Sequence, residues 1–162
     1  MGYTHYFERK RDLHEEDANF LFQMYAAGVQ QIVQRAHERG IAIADRFGER
    51  IGAEILDDLI AFNGLDEEKY ETFLVRAVPE PYNPERKWED QEWEFNFCKT
   101  RHLPYDEVVT ACLILMKEVY GSLVKISSDG TWELDWTEGR ELYESATGKE
   151  AKFPFVEEKV AN

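Results

Sequence analysis

The chain is poor in cysteine, with Cys98 and Cys112 alone among 162 residues. Two thiols cannot build a disulfide framework, so the fold must rest on an apolar core, and a reducing cytoplasm is the expected compartment. Long hydrophobic runs are missing as well. The most apolar stretch, Val108 to Met116, is interrupted by Thr110 and falls short of the roughly 18 residues a membrane span needs, so no membrane partner is expected. Basic residues are scarce: 19 Lys and Arg face 33 Asp and Glu, a formal net charge of -14. That balance argues against direct binding of nucleic acid, which relies on cations to displace counterions. The opening Met1-Gly2-Tyr3-Thr4-His5-Tyr6 has no charged lead and apolar run, so no secretory signal is expected, and Tyr6 stands where a myristoylation motif wants Ser or Thr. Internal repeats, a P-loop, a Gly-x-Gly-x-x-Gly turn and paired Cys-x-x-Cys or His-x-x-x-His spacings are all missing. These gaps leave the common nucleotide hydrolases and local metal sites without support, and no cofactor or metal is expected.

What is present is aromatic. Ten Phe, eight Tyr and four Trp supply enough bulk to close one core at this length, and they exclude disorder for most of the chain. Acidity is uneven: from Glu49 to Glu94 there are 14 acidic residues against five basic ones. Pro79, Pro81 and Pro84 mark residues 78 to 88 as a loop, because proline removes a ladder donor and fixes its own φ.

Periodicity gives the elements. Tyr3 to Glu8 reads as a strand. Asp12 with Glu15 resembles a capping box, and the repeat Phe20, Met24, Gly28, Ile32, Ala36, widened by Leu21, Val29 and Val33, predicts one amphipathic helix over residues 13 to 39 with that stripe buried, stopped by Gly40. Strand-length runs follow at Ile41 to Phe47, Leu59 to Asn63, Tyr70 to Ala77 and Trp93 to Thr100. In the last, Trp93, Phe95 and Phe97 alternate with Glu94, Asn96 and Cys98, the signature of a half-buried strand whose aromatic side faces the core. A second helix is expected from Pro104 to Gly121, burying Val108, Cys112, Leu115, Met116 and Val119. Asp129-Gly130, between Lys125 to Ser128 and the alternating Trp132 to Trp136, predicts a hairpin, and Glu138 to Ala146 a short helix ended by Gly148. The expected fold is α+β: a mainly antiparallel sheet with one long and one medium helix packed on one face. Residues 1–148 form the single domain, and 149–162 a C-terminal tail.

Polar residues gather at the ends of these elements, where folds present working groups: His5 and Tyr6; Asn63; Glu71; Lys99, Thr100 and Arg101 with His102; and Ser127, Ser128 and Asp129. The basic cluster just ahead of the second helix suits an anion, since free amides and the positive dipole end coincide there; the competing reading is that Lys99 and Arg101 only neutralise carboxylates such as Glu94 or Asp106. The Ser127 to Gly130 block suits a ribose or a sugar-like group, and also a plain turn. Cys98 beside Lys99 could be an activated thiolate, but a buried cysteine is the more ordinary assignment. A metal held by distant residues such as His5, Glu71 and Asp129 is the weaker alternative to a hydrogen-bonded structural histidine.

These blocks also carry a resemblance. Met1-Gly2-Tyr3-Thr4-His5-Tyr6-Phe7, Phe62-Asn63-Gly64 with Glu71-Thr72-Phe73, Phe97-Cys98-Lys99-Thr100 with Pro104-Tyr105-Asp106, and Ser127-Ser128-Asp129-Gly130 with Trp132 look like those of a family of uncharacterised proteins of tailed phages and prophages. The resemblance implies that the polar blocks line one site. It also implies a use in anti-defence, the sequestration of a host signal. Three functions are therefore carried forward: binding of a small anionic, nucleotide-like ligand, ranked first; an acidic interaction protein mimicking DNA charge to inhibit a host nuclease, through carboxylates such as Glu67, Glu68, Glu89 and Asp90; and, last, an enzyme on a nucleotide-like substrate with Glu71, Asp129 or His5 as acid or base.

Overall fold

A computed structural model describes residues 2–156. The order of elements is β1 (Thr4–Lys10), α1 (Glu15–Glu38), β2 (Ile43–Ala44), β3 (Glu54–Ile55), β4 (Leu59–Gly64), β5 (Phe73–Arg76), β6 (Trp93–Lys99), α2 (Asp106–Tyr120), β7 (Val124–Ser128) and α3 (Thr137–Thr147). The α+β class stands, but the strands form two antiparallel sheets. One is three-stranded in the order β6-β1-β7; in the other, β4 pairs with β5 on one edge and with β2 and β3 on the opposite edge. A single apolar cluster joins both sheets to all three helices.

The long helix is α1. Glu15, Glu16 and Asp17 favour its positive end, and Gly40, at φ +83°, follows its last turn. Its buried face differs from the expected stripe: Ala18, Phe22, Tyr25, Val29, Ile32, Val33 and Ala36 are inside, whereas Phe20 is 63% and Met24 51% exposed. A strict four-residue repeat advances about 40° round the helix at every step, while alternating steps of four and three stay nearly in line. Nor does Asp12 cap the helix; the N-cap position is His14, with no side-chain hydrogen bond.

Helix α2 is buried on almost every side rather than along one stripe: Val108 through Met116 are all inside, and only Val119 of the predicted set is partly open. It is the central pillar, packed against α1, α3 and β7. Gly139 of α3 sits so close to it that a Cβ would meet Thr110 Oγ1 at 1.9 Å.

Strand β6 is turned over. Glu94 and Cys98 face inward, while Phe95 and Phe97 are about half exposed. The neighbouring strand sets the parity. Opposite pairs share a face, and His5↔Cys98, Phe7↔Asn96 and Arg9↔Glu94 follow β1, whose His5, Phe7 and Arg9 point into the core. The buried charge is matched: Arg9 Nη2 donates to Glu94 Oε1 at 3.1 Å, and Glu94 Oε2 accepts from the Glu80 amide.

The predicted hairpin does not form. Asp129 accepts from the Thr4 amide instead, Asp135 Oδ2 accepts from the amide of Thr131 at 2.7 Å, and residues 132–136 coil into α3 with Trp136 buried. The predicted strands at 41–47 and 70–77 shorten to Ile43–Ala44 and Phe73–Arg76. The proline loop carries no strand or helix and is fastened by Arg11, whose guanidinium donates to the Glu80 carbonyl and, at 3.2 Å, to that of Asp90, and pairs with Glu89. Within the expected tail, Phe155 bridges Ile126 and its ring lies edge-on to Trp136; residues 157–162 lie outside the described residues.

Candidate functional site

The polar blocks separate into an inner network and an outer rim. Inside, Asp106 Oδ1 receives Thr100 Oγ1 and His5 Nε2, each at 2.6 Å, and His5 Nδ1 lies 2.8 Å from Ser128 Oγ. That hydroxyl oxygen also accepts from the Gly130 amide at 2.9 Å and from Trp136 Nε1 at 3.1 Å. With both lone pairs engaged, its own hydrogen goes to His5 Nδ1, which leaves Nε2–H to donate to Asp106. The order serine, histidine, aspartate is that of a hydrolytic triad, here with the serine oxygen also held by the Gly130 amide and the Trp136 indole. His5 and Thr100 are wholly buried. The network ties β1, β7, the start of α2 and the turn before α3 into one unit.

Other predicted residues are likewise engaged. Asn63 Oδ1 accepts from the Tyr70 amide at 3.0 Å and its Nδ2 donates to the Tyr70 carbonyl at 3.1 Å, so it shapes the connection between β4 and β5. Glu71 Oε2 accepts from the Lys99 amide at 2.9 Å. Asp129 Oδ2 accepts from the Thr4 amide at 3.0 Å, with the Tyr6 hydroxyl 3.5 Å from its other oxygen. Cys98 is enclosed, its thiol aimed at the Glu71 carbonyl, and burial pushes its pKa well above that of a free thiol. That environment disfavours the thiolate an attacking group requires.

The rim holds Lys99 and Arg101. Both are exposed, and neither forms an ion pair among the described residues. With Gly2 and Tyr70 they line an open cavity of about 330 Å³, where the Arg101 guanidinium sits 5.1 Å from the Tyr70 ring centre. Arg101 and His102 both have positive φ, +55° and +58°, a conformation costing about 1–2 kcal/mol per residue. The Leu103 amide closes the turn onto the Thr100 carbonyl, and the His102 ring stacks on Tyr3. The strain turns Arg101 outward.

This rim departs from the expected anion cradle in three ways. The first turn of α2 offers no free donors, because the Asp106 amide already reaches Leu103, the Val108 amide reaches Tyr105, and the Asp106 carboxylate occupies the positive end. Thr100 points inward, away from Lys99 and Arg101. Ser127 lies across β1 from Phe97, so Lys99 is two strand spacings and two residues along the strand away, about 12 Å. Neither Lys99 nor Arg101 pairs with Glu94 or Asp106, whose partners are Arg9 and His5. Of the carboxylates expected on an exposed loop, Glu67, Glu68 and Asp90 are exposed, Asp90 Oδ1 also accepting the amides of Glu92 and Trp93, whereas Glu89 is drawn against Arg11.

Sequence reasoning missed Tyr70 beneath Arg101, Asp106 as the hub of the inner network and the outward aromatics of β6. It also missed a carboxylate pair at the first turns of α2 and α3: burial and the facing Glu138 push Glu107 up to about 7, against a smaller pull from Arg39. Among the described residues no group of three or more His, Cys, Asp or Glu is placed to hold a metal. The chain matches no family model, no curated protein and no solved structure.

Proposed function

We propose that this chain binds a small anionic, nucleotide-like molecule at the rim formed by Gly2, Tyr70, Lys99 and Arg101. One observation carries the reading. Two cations with no ion pair among the described residues and an exposed aromatic ring share an open cavity on a protein of net charge -14. Carboxylates are abundant, and self-neutralisation would have been the easy arrangement; leaving both cations unpaired favours an anionic guest. Tyr70 offers a face for a base, and the strained turn holds Arg101 ready. The resemblance to phage and prophage proteins supplies the setting, sequestration of a host defence signal in the host cytoplasm.

Calorimetric titration with a panel of nucleotides and cyclic nucleotides tests the reading. Binding by the parent protein that weakens at least tenfold in both Lys99→Ala and Arg101→Ala supports it. No binding by the parent, or equal binding by the variants, rejects it.

A further inference from the structure

The outer face of the β6-β1-β7 sheet carries a second pattern. Tyr6, Glu8 and Lys10 of β1, Trp93, Phe95, Phe97 and Lys99 of β6, and Lys125 and Ser127 of β7 alternate with the buried positions and share this side. The rings form a row: Tyr6 to Phe95 is 6.0 Å between centres and Phe95 to Phe97 is 5.9 Å. Cations flank the row. Lys125 Nζ lies 4.0 Å from the Trp93 ring centre, Lys10 approaches the same ring at 6.0 Å, and Lys99 stands at the other end beside Arg101. The only carboxylate among these outward positions is Glu8, directly opposite Lys125. Beside the rings, Tyr6, Glu8, Phe95, Lys125, Ser127 and Val156 line a cavity of about 280 Å³.

We infer that this face is a binding platform for single-stranded nucleic acid. Exposed rings in a row offer stacking surfaces to successive unpaired bases, and flanking lysines suit the phosphates that run beside them. A duplex hides its base faces and would meet the rings with nothing to stack. The net charge of -14 averages over surfaces that a bound strand never meets, and beyond about 8 Å charges are largely screened at physiological ionic strength. At the edges of the face the Asp129 carboxylate lies 3.5 Å from the Tyr6 hydroxyl and Glu71 accepts from the Lys99 amide, so Lys10, Lys99, Lys125 and the adjoining Arg101 meet Glu8, Asp129 and Glu71 and leave a small cationic surplus where the whole protein is strongly acidic. The inference shares Lys99 and Arg101 with the rim described above but depends on Phe95 and Phe97, which that rim does not use.

The test is fluorescence anisotropy with a labelled oligothymidylate of about 12 nucleotides and a duplex of equal length. The parent should prefer the single strand, and three engaged lysines predict affinity falling about twentyfold between roughly 50 and 200 mM salt. Phe95→Ala and Phe97→Ala should each weaken binding by about five- to a hundredfold. Phe97→Leu, which keeps apolar bulk and guards against a folding defect, should weaken it too. Absence of strand binding by the parent, equal affinity for duplex, or unchanged binding by Phe97→Leu would overturn the inference. So would a protein dimer that dissociates in Phe95→Ala, since the face would then be covered by a second copy. A protein that binds mononucleotides but no strand overturns this inference and leaves the rim reading standing; strand binding without mononucleotide binding does the reverse.

Discussion

Glu107 and Glu138 make the fold's stability fall as the solution becomes alkaline. Glu107 is half-buried in the first turn of α2, and its carboxyl is raised from the ordinary 4.5 to about 7, first by burial and then by Glu138, with which it shares a hydrogen bond. The folded state therefore holds a proton that the unfolded chain has already lost between these two values. Stability from this pair is complete below about 4.5 and is lost as pH climbs through about 7. Taken whole, the difference corresponds to about 3 kcal/mol at 1.4 kcal/mol per pH unit. Glu107 is only half-buried, and solvent screening reduces that to about 1 kcal/mol. Glu107→Gln keeps a donor toward Glu138 and cannot ionise. It should match the parent at pH 4.5 and exceed it by about 1 kcal/mol at pH 8, or roughly 2–4 °C in melting temperature. Urea denaturation followed by circular dichroism, for both proteins at both pH values, reads the difference directly. Glu138→Gln should recover only part of this gain, because burial, the larger cause, still raises Glu107, and the double variant should add little to Glu107→Gln. A Gln variant whose advantage is the same at both pH values, or which is less stable at pH 8, refutes the reasoning.

Asp106→Leu should lower stability by about 3–5 kcal/mol in urea denaturation, because it orphans both the His5 Nε2–H and the Thr100 hydroxyl inside the core; a loss under 1 kcal/mol would mean the network is loose. Met116→Asp should abolish cooperative unfolding by circular dichroism, since Met116 is wholly enclosed and an unpaired buried carboxylate costs several kcal/mol against a total of roughly 5–15. Arg11→Ala should speed tryptic cleavage after Arg86 or Lys87 while shifting the melting temperature by only a few degrees, because Arg11 fastens the proline loop rather than the core. An unchanged cleavage rate would show the loop held by other contacts.

Local signals were the legible ones. Gly40 and Gly148 marked the ends of α1 and α3 because a positive φ after a helix is a glycine preference written in one residue. The face of β6 was not legible, since inward Glu94 makes sense only beside Arg9, which lies 85 positions earlier. Asp129-Gly130 misled for a related reason: its carboxylate serves the Thr4 amide, a partner 125 positions away that outcompetes the local turn. At the site, the cluster of Lys99 and Arg101 could be read directly, and so could the convergence of His5 with the Ser127 to Asp129 block. The split of that block could not: whether Thr100, Ser128 and His5 face a guest or each other depends on Asp106, which in the sequence stood only as a carboxylate for Lys99 or Arg101 to neutralise and takes His5 and Thr100 instead.

The position of β1 between β6 and β7 sets a timetable for synthesis. The strand made first among the described elements has its first partner at residues 93–99 and its second at residues 124–128. At the usual 5–20 residues per second, about 6–25 s separate β1 from its second partner. Both its edges are unpaired until β6 is made and one stays open until β7 follows, the kind of edge that joins strands of other chains. Its outward Glu8 and Lys10, with Arg9 and Arg11 beside them, keep it charged while it waits, so the residues that later present the platform and fasten the loop also guard the nascent chain against premature pairing.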